Sequence, residues 1–320
     1  MESTSASVPG APDWERIDED IRCPLCEYDL RMLTTPRCPE CGYRFEWAEL
    51  LDPARRVHPY LFEHHPEANL RSFRRTLLNG LRPRRFWTSL HPAQPSSARR
   101  LILYWCVVAL IYTVPIAAEL TAEIVGLLGA LRADRAWTVA FYNTPRGRDV
   151  LGSEVKRFGS IDAYLDYYTP MPNSPTTLWR HLRYTWVPVH MVAYLLFPLL
   201  YAWLTFLSLL LFGFSMRRAR IRSVHVLRCV VYSTDVLVWA GLCVLLGAVI
   251  ARLYLGTAVI GGWAFKGCLA FAVVMTVASI YRLYVAYRYY LRFDHPLATV
   301  LASQVIVYLV GANLLAPQLL

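Results

Sequence analysis

Lysine is nearly missing from this chain. Of 33 basic residues only Lys156 and Lys266 are lysine, and the others are arginine. The skew fits a GC-rich coding sequence and carries no function. There is no HExxH, GxSxG, P-loop or GxGxxG, so membrane-hydrolase and nucleotide chemistry have no support and no enzyme is expected. Residues 1–20 lack the apolar centre of a signal peptide and hold Glu2, Asp13, Glu15, Asp18, Glu19 and Asp20 instead. They read as a disordered tail, and the first apolar span is expected to direct the chain to the membrane itself.

Apolar residues, in contrast, are in excess. They make up 56% of the 320 residues, above the roughly 45–50% of soluble domains. Most follow Leu101, in runs long enough for spans of about 18 residues or more. The fold class expected is mainly α: a polytopic membrane helix bundle of about five spans with a small polar amino-terminal module in front.

The cysteines divide by place. Cys106, Cys229, Cys243 and Cys268 stand singly in apolar runs and read as small buried hydrophobes. Cys23, Cys26, Cys38 and Cys41 form CxxC-x11-CxxC inside a near-repeat, with Arg22–Leu30 over Arg37–Phe45. Two thiolates at CxxC spacing can point into one site from a tight turn, and two such turns complete a tetrahedral zinc site. Pro24 and Pro39 preset the backbone after each leading cysteine. Gly42 permits the positive φ that closes the second turn, whereas Glu27 stands at the matching place in the first. Arg22, Arg31, Arg37 and Arg44 would offset the thiolate charge. Tyr28, Tyr43, Leu30 and Phe45 would make a minimal core. Residues 21–48 thus resemble the short zinc ribbons, including rubredoxin-like knuckles. Four cysteine ligands leave no coordination position open for catalysis, so one structural zinc ion is expected; disulfides, which need an oxidising compartment, and iron, for which the eleven-residue spacer is short, are the competing readings. His58, His64 and His65 read as solvated rather than as further ligands.

Residues 53–100 form a basic juxtamembrane segment, with ten arginines against Glu63 and Glu67. Leu70, Phe73, Leu77 and Leu81 recur at helical spacing, with Arg71, Arg74 and Arg75 on the other flanks. The pattern predicts an interfacial helix, its apolar side in the headgroup boundary. Arg71, Arg74, Arg75, Arg82, Arg84 and Arg85 would meet anionic lipid, and Phe86 and Trp87 would anchor at the interface. A nucleic-acid patch is the alternative; tethering to a membrane favours lipid.

The transmembrane domain covers 101–320, with spans near 101–120, 186–216, 229–251, 263–284 and 296–315. Arg217, Arg218, Arg220, Arg222 and Arg228 join the second and third spans, and Arg282, Arg288 and Arg292 precede the fifth. The positive-inside rule then puts the amino terminus in the cytosol and the carboxyl terminus outside, in a plasma (bacterial inner) membrane. The loop at 132–185 would be external despite eight basic residues, which five acids accompany. Within it, Ser160 is expected to cap a helix with Ile161, Tyr164, Leu165 and Tyr168 on one face. Asp235 must be paired within its span, with Arg222, Arg228 or Arg282 in reach. Glu119, Glu123, His190 and Lys266 lie near span ends, where snorkelling accounts for them.

The membrane part also resembles the Yip family of five-span proteins. Leu81-Arg82-Pro83-Arg84-Arg85-Phe86-Trp87 before the first span, Val231-Tyr232-Ser233 in the third, and the arginine-rich Tyr281–Asp294 carry the likeness. Asp235 and Val236 stand where that family often has proline. The resemblance implies a non-enzymatic membrane-organising role, with the ribbon recruiting a cytosolic protein. A transporter regulated through the ribbon and a membrane-tethered nucleic-acid binder are the competing readings.

Overall fold

A computed structural model describes residues 20–52, 57–172, 186–215, 221–254, 260–293 and 295–319. It is mainly helical. Among the described residues there is no strand, only isolated antiparallel bridges at Arg22–Asp29 and Arg37–Arg44. The helices are α1 (Trp47–Leu51), α2 (Asn69–Gly80), α3 (Pro83–Ser89), α4 (Ala98–Tyr142), α5 (Pro145–Phe158), α6 (Ile161–Tyr168), α7 (Trp186–Ser215), α8 (Ser223–Thr234), α9 (Leu237–Tyr254), α10 (Ile260–Tyr289) and α11 (Pro296–Leu319).

Helices occupy all five predicted span positions. Two stretches are long and apolar enough to cross a membrane, Ala98–Ala118 and Ser223–Gly247; Phe197–Leu211 and Pro296–Gly311 are shorter apolar segments. In the apolar half α4 lies against α9, α7 against α11, and α10 against both α9 and α11. Gly241 allows the first approach, since a Cβ there would meet the Ile111 carbonyl oxygen at 2.9 Å. Ser208 and Ser303 join α7 to α11 through their hydroxyls at 2.7 Å, the kind of small polar contact that couples apolar helices. The outward flanks are largely apolar: Leu110, Val114, Leu207, Leu211, Leu246, Val274, Val277, Val305 and Leu309 are exposed, with Trp203 and Tyr308 among them.

Three expectations about these helices change. The first does not stop near residue 120. Ser97 caps α4 through the Arg100 N–H, and the helix runs on past Pro115 into the region assigned to the external loop. The third is two helices, broken at Asp235–Val236. In addition, Cys106 and Cys243 are exposed on the bundle's flank, and only Cys229 is buried as expected; Cys268 lies outside the described side chains. The α6 helix is present, with the Ser160 hydroxyl accepting from the Ala163 N–H at 3.1 Å. Its face is anchored by buried Leu165, while Tyr168 is exposed.

The other half is polar and aromatic. It gathers the cysteine segment, α1, α2, α3, α8 and the facing ends of α4 and α10. Phe73 stacks near Tyr104 (5.0 Å), Tyr104 near Tyr232 (5.1 Å), Tyr232 near Phe86 (5.6 Å) and Trp87 near Tyr290 (5.6 Å). Phe86 and Trp87 are therefore core residues and not interfacial anchors; Trp87 has no exposed surface. Likewise α2 does not turn its apolar stripe outward as one face. Phe73 and Leu77 point into this core with Ser72, Thr76 and Gly80. Leu70, Leu78 and Leu81 stay outside with the arginines.

Candidate metal centre and the network beneath it

The near-repeat in sequence is a repeat in hydrogen bonding. In the first knuckle Cys23 N donates to Tyr28 O, Glu27 N to Cys23 O and Leu30 N to Ile21 O. In the second, Cys38 N donates to Tyr43 O, Gly42 N to Cys38 O and Phe45 N to Pro36 O. Each turn closes on a left-handed residue, Gly42 at φ 73° and Glu27 at φ 64°. Glycine adopts this region freely; glutamate does so at a cost of about 1 kcal/mol or more. The Glu27 carboxylate has a use that a glycine would not supply, an ion pair with Arg222 at 3.0 Å.

These turns bring four sulfurs together. Cys23 Sγ lies 3.6 Å from Cys41 Sγ and Cys26 Sγ 3.5 Å from Cys38 Sγ, and all four fall within 4.8 Å of one another. A tetrahedron with metal–sulfur distances of about 2.3 Å has edges of about 3.8 Å. The set therefore fits one tetrahedral ion, and it is the one group of metal-ligating side chains among the described residues. The hydrogen bond between the Cys23 and Cys41 thiols holds Cys23 down at about 6. That same bond, then burial, raises Cys41. Burial pushes Cys26 up to about 12. Cation binding would displace the protons of Cys26 and Cys41, so metal affinity rises with pH.

The surroundings match the sequence reading in part. Leu30, Tyr43 and Phe45 are buried and Tyr28 is half-exposed; Phe45 also meets Trp47 edge-on at 4.8 Å. The Arg37 guanidinium lies beside the second turn, 3.6 Å from where a Gly42 Cβ would be. Arg22 and Arg31, however, bind Asp20 and Asp29.

The cysteine segment is not a free appendage. Arg222 N donates to Leu25 O at 2.8 Å, His225 Nε2 reaches Pro24 O at 2.8 Å, and Arg292 Nη1 donates to Arg44 O at 2.8 Å. Beneath these contacts lies a buried polar network. Arg228 and Glu63 form a two-pronged ion pair, Nε–Oε1 at 2.8 Å and Nη2–Oε2 at 3.0 Å, with no side-chain exposure. Tyr232 Oη donates to Glu63 at 3.1 Å, and Arg228 also bonds Tyr290 Oη at 2.9 Å and Pro95 O at 2.7 Å. Asp235 pairs with Arg282 and accepts from Tyr104 Oη at 2.8 Å. Of the three arginines in reach of Asp235, Arg282 takes it, Arg228 takes Glu63 and Arg222 takes Glu27.

The histidines are structural and not solvated. His58 is buried; its N–H donates to His64 Nδ1 at 2.8 Å and its Nε2 lies 3.3 Å from the Ser89 hydroxyl. His64 Nε2 donates to Pro95 O and His65 Nε2 to His58 O. Burial, then the charges of His64 and Arg228, holds His58 down at about 4. Arg71, Arg74, Arg75, Arg82, Arg84 and Arg85 are all exposed on α2, α3 and the link between them. The side chains of Glu119, Glu123, His190 and Lys266 lie outside the described residues. Sequence reasoning missed His225 and Glu63. A buried ion must be paired, but the Glu63 partner stands in a helix 165 residues away, and nothing local names it.

No protein-family model, no curated protein and no solved structure matches the chain. The Yip resemblance thus has no support beyond the residues quoted for it.

Proposed function

We propose that this is an integral membrane protein with a cytosolic structural zinc ribbon, acting as a non-enzymatic membrane-organising or partner-recruiting protein. The observation that carries the reading is the segregation of its surface. Arg222 and Arg292 bond the cysteine segment, Arg99, Arg100 and Arg288 lie near the ends of α4 and α10, and exposed aliphatic residues line the helix flanks beyond. An arginine-rich end beside an apolar belt is the pattern of a cytosolic face above lipid. It supports five spans in a plasma (inner) membrane, amino terminus inside and carboxyl terminus outside. Four thiols in one closed set support a structural rather than a catalytic ion, and zinc is the metal that best suits a ligand set made wholly of cysteine thiolates. The exposed Arg71, Arg74, Arg75, Arg82, Arg84 and Arg85, with Leu70, Leu78 and Leu81 among them, suit anionic headgroups, and the ribbon's outer face suits a protein partner.

Asp235 separates this reading from transport. A transport carboxylate faces a wet path; this one is held by Arg282 and Tyr104 in an aromatic core, which favours the anchor. The lipid part is tested by native mass spectrometry of the detergent-purified protein. The wild type is expected to retain phosphatidylglycerol, and the Arg71→Gln/Arg74→Gln/Arg75→Gln variant to lose most of it. Equal retention would remove the lipid contact from the account.

A further inference from the structure

Resting on the zinc reading above, we infer that the ribbon is a metal-dependent clamp, and that the bundle senses whether it is loaded through His225. With His225 neutral, the donors and acceptors leave one arrangement. Pro24 O can only accept, so His225 Nε2 carries the proton toward it. The neutral ring then accepts at Nδ1 from Tyr290 Oη, 2.7 Å away. Tyr290 Oη in turn accepts from Arg228 Nη1, and Arg228 holds Glu63. Glu63 accepts from Tyr232 Oη, while Tyr232 O accepts from Arg282 Nη2 at 2.8 Å, and Arg282 pairs with Asp235 at the break between α8 and α9. Contiguous polar contacts thus connect a knuckle carbonyl, through Arg228 as donor to both Tyr290 and Glu63 and through the body of Tyr232, to the break between α8 and α9.

The first of these contacts is the one that metal controls. Pro24 and Leu25 lie between the ligands Cys23 and Cys26, and both of their carbonyls are acceptors for α8. The ion would tie Cys23 and Cys26 to the second knuckle, and so would fix the turn that presents both carbonyls. Loss of the ion would release both carbonyls, leave the Arg222 N–H and His225 Nε2 at the start of α8 without partners, and loosen α8 down to Asp235. Two discrete packings of one element, biased by a bound cation, are what a switch requires.

The test is hydrogen exchange on the full-length protein in nanodiscs, zinc-loaded and after stripping with a chelator. Stripping is expected to speed amide exchange about tenfold or more in residues 222–236, and to leave 205–208 and 300–307 unchanged. In His225→Phe, zinc stoichiometry should be retained, its affinity should fall by no more than the coupling the variant removes, and exchange in 222–236 should be fast and indifferent to zinc. If that variant fails to fold, Arg222→Pro, which removes the N–H bonded to Leu25 O, serves in its place. Wild-type exchange in 222–236 that ignores zinc overturns the clamp, as does loss of protection throughout the bundle on stripping. Failure of the wild type to bind zinc at all overturns the zinc reading instead.

Discussion

Glu27 shows how a single residue divides its duties. It occupies a left-handed position that Gly42 fills without strain in the other knuckle, and it reaches Arg222 on the approach to α8. Glu27→Gly should therefore leave zinc affinity equal or higher in a competition titration, because about 1 kcal/mol of backbone strain is relieved. A fall in affinity of about tenfold, or about 1.4 kcal/mol, would show that the carboxylate supports the metal site itself. His58 gives a pH dependence. Its ordinary value is about 6.5, and in the fold it lies at about 4. The unfolded chain thus binds the extra proton first. The contribution is intact above about pH 6.5 and is lost as pH falls toward 4, amounting to about 2 kcal/mol at pH 5. Melting temperature should drop between pH 7.5 and pH 5 in the wild type and drop less in His58→Gln; equal drops would contradict this. The four cysteines were legible because their spacing is local and chemically narrow. The histidines were not, because adjacency in sequence says nothing of the Ser89 and Pro95 groups that receive them.

At the scale of elements, α8 is the piece that sequence misplaces most. Its apolar content reads as the start of a span at Cys229, yet every residue from His225 to Thr234 is buried in protein. The charges in it mark the difference. Arg228 and Asp235 belong to a protein core in which each has a carboxylate or guanidinium partner, and the helix breaks where Asp235 turns to Arg282. Periodicity locates helices well, and all five predicted positions are helical. It cannot tell a helix wrapped by protein from one wrapped by lipid, since both are apolar around the whole circumference. The α2 stripe failed in a related way: Phe73 and Leu77 found a partner inside, and Leu70 did not. The buried pair gives a sharp expectation. Arg228→Met alone leaves Glu63 charged and unpaired and should cost about 3–5 kcal/mol, while Glu63→Gln/Arg228→Met should recover a substantial part of that. Additive losses in thermal melts of the detergent-solubilised variants would mean that the two groups do not act as a pair.

The described residues divide into two halves of different surface character. The aromatic, arginine-rich half holds the cysteine site against α8 and α10, and the aliphatic half carries the exposed belt. The orientation proposed for it predicts that alkaline phosphatase fused after Gly147 or Leu320 is active, and after Arg220 inactive; activity only at Arg220 would invert the topology. The central claim is that the amino-terminal repeat is a zinc site built into this structure. Elemental analysis of the purified full-length protein tests it most directly. The account predicts one zinc per chain, absent or far more readily stripped in Cys38→Ser, with the variant still inserted in the membrane because backbone bonding and lipid burial hold the helices separately. A wild-type protein that carries no zinc, or a Cys38→Ser variant that holds it as tightly as before, would contradict it.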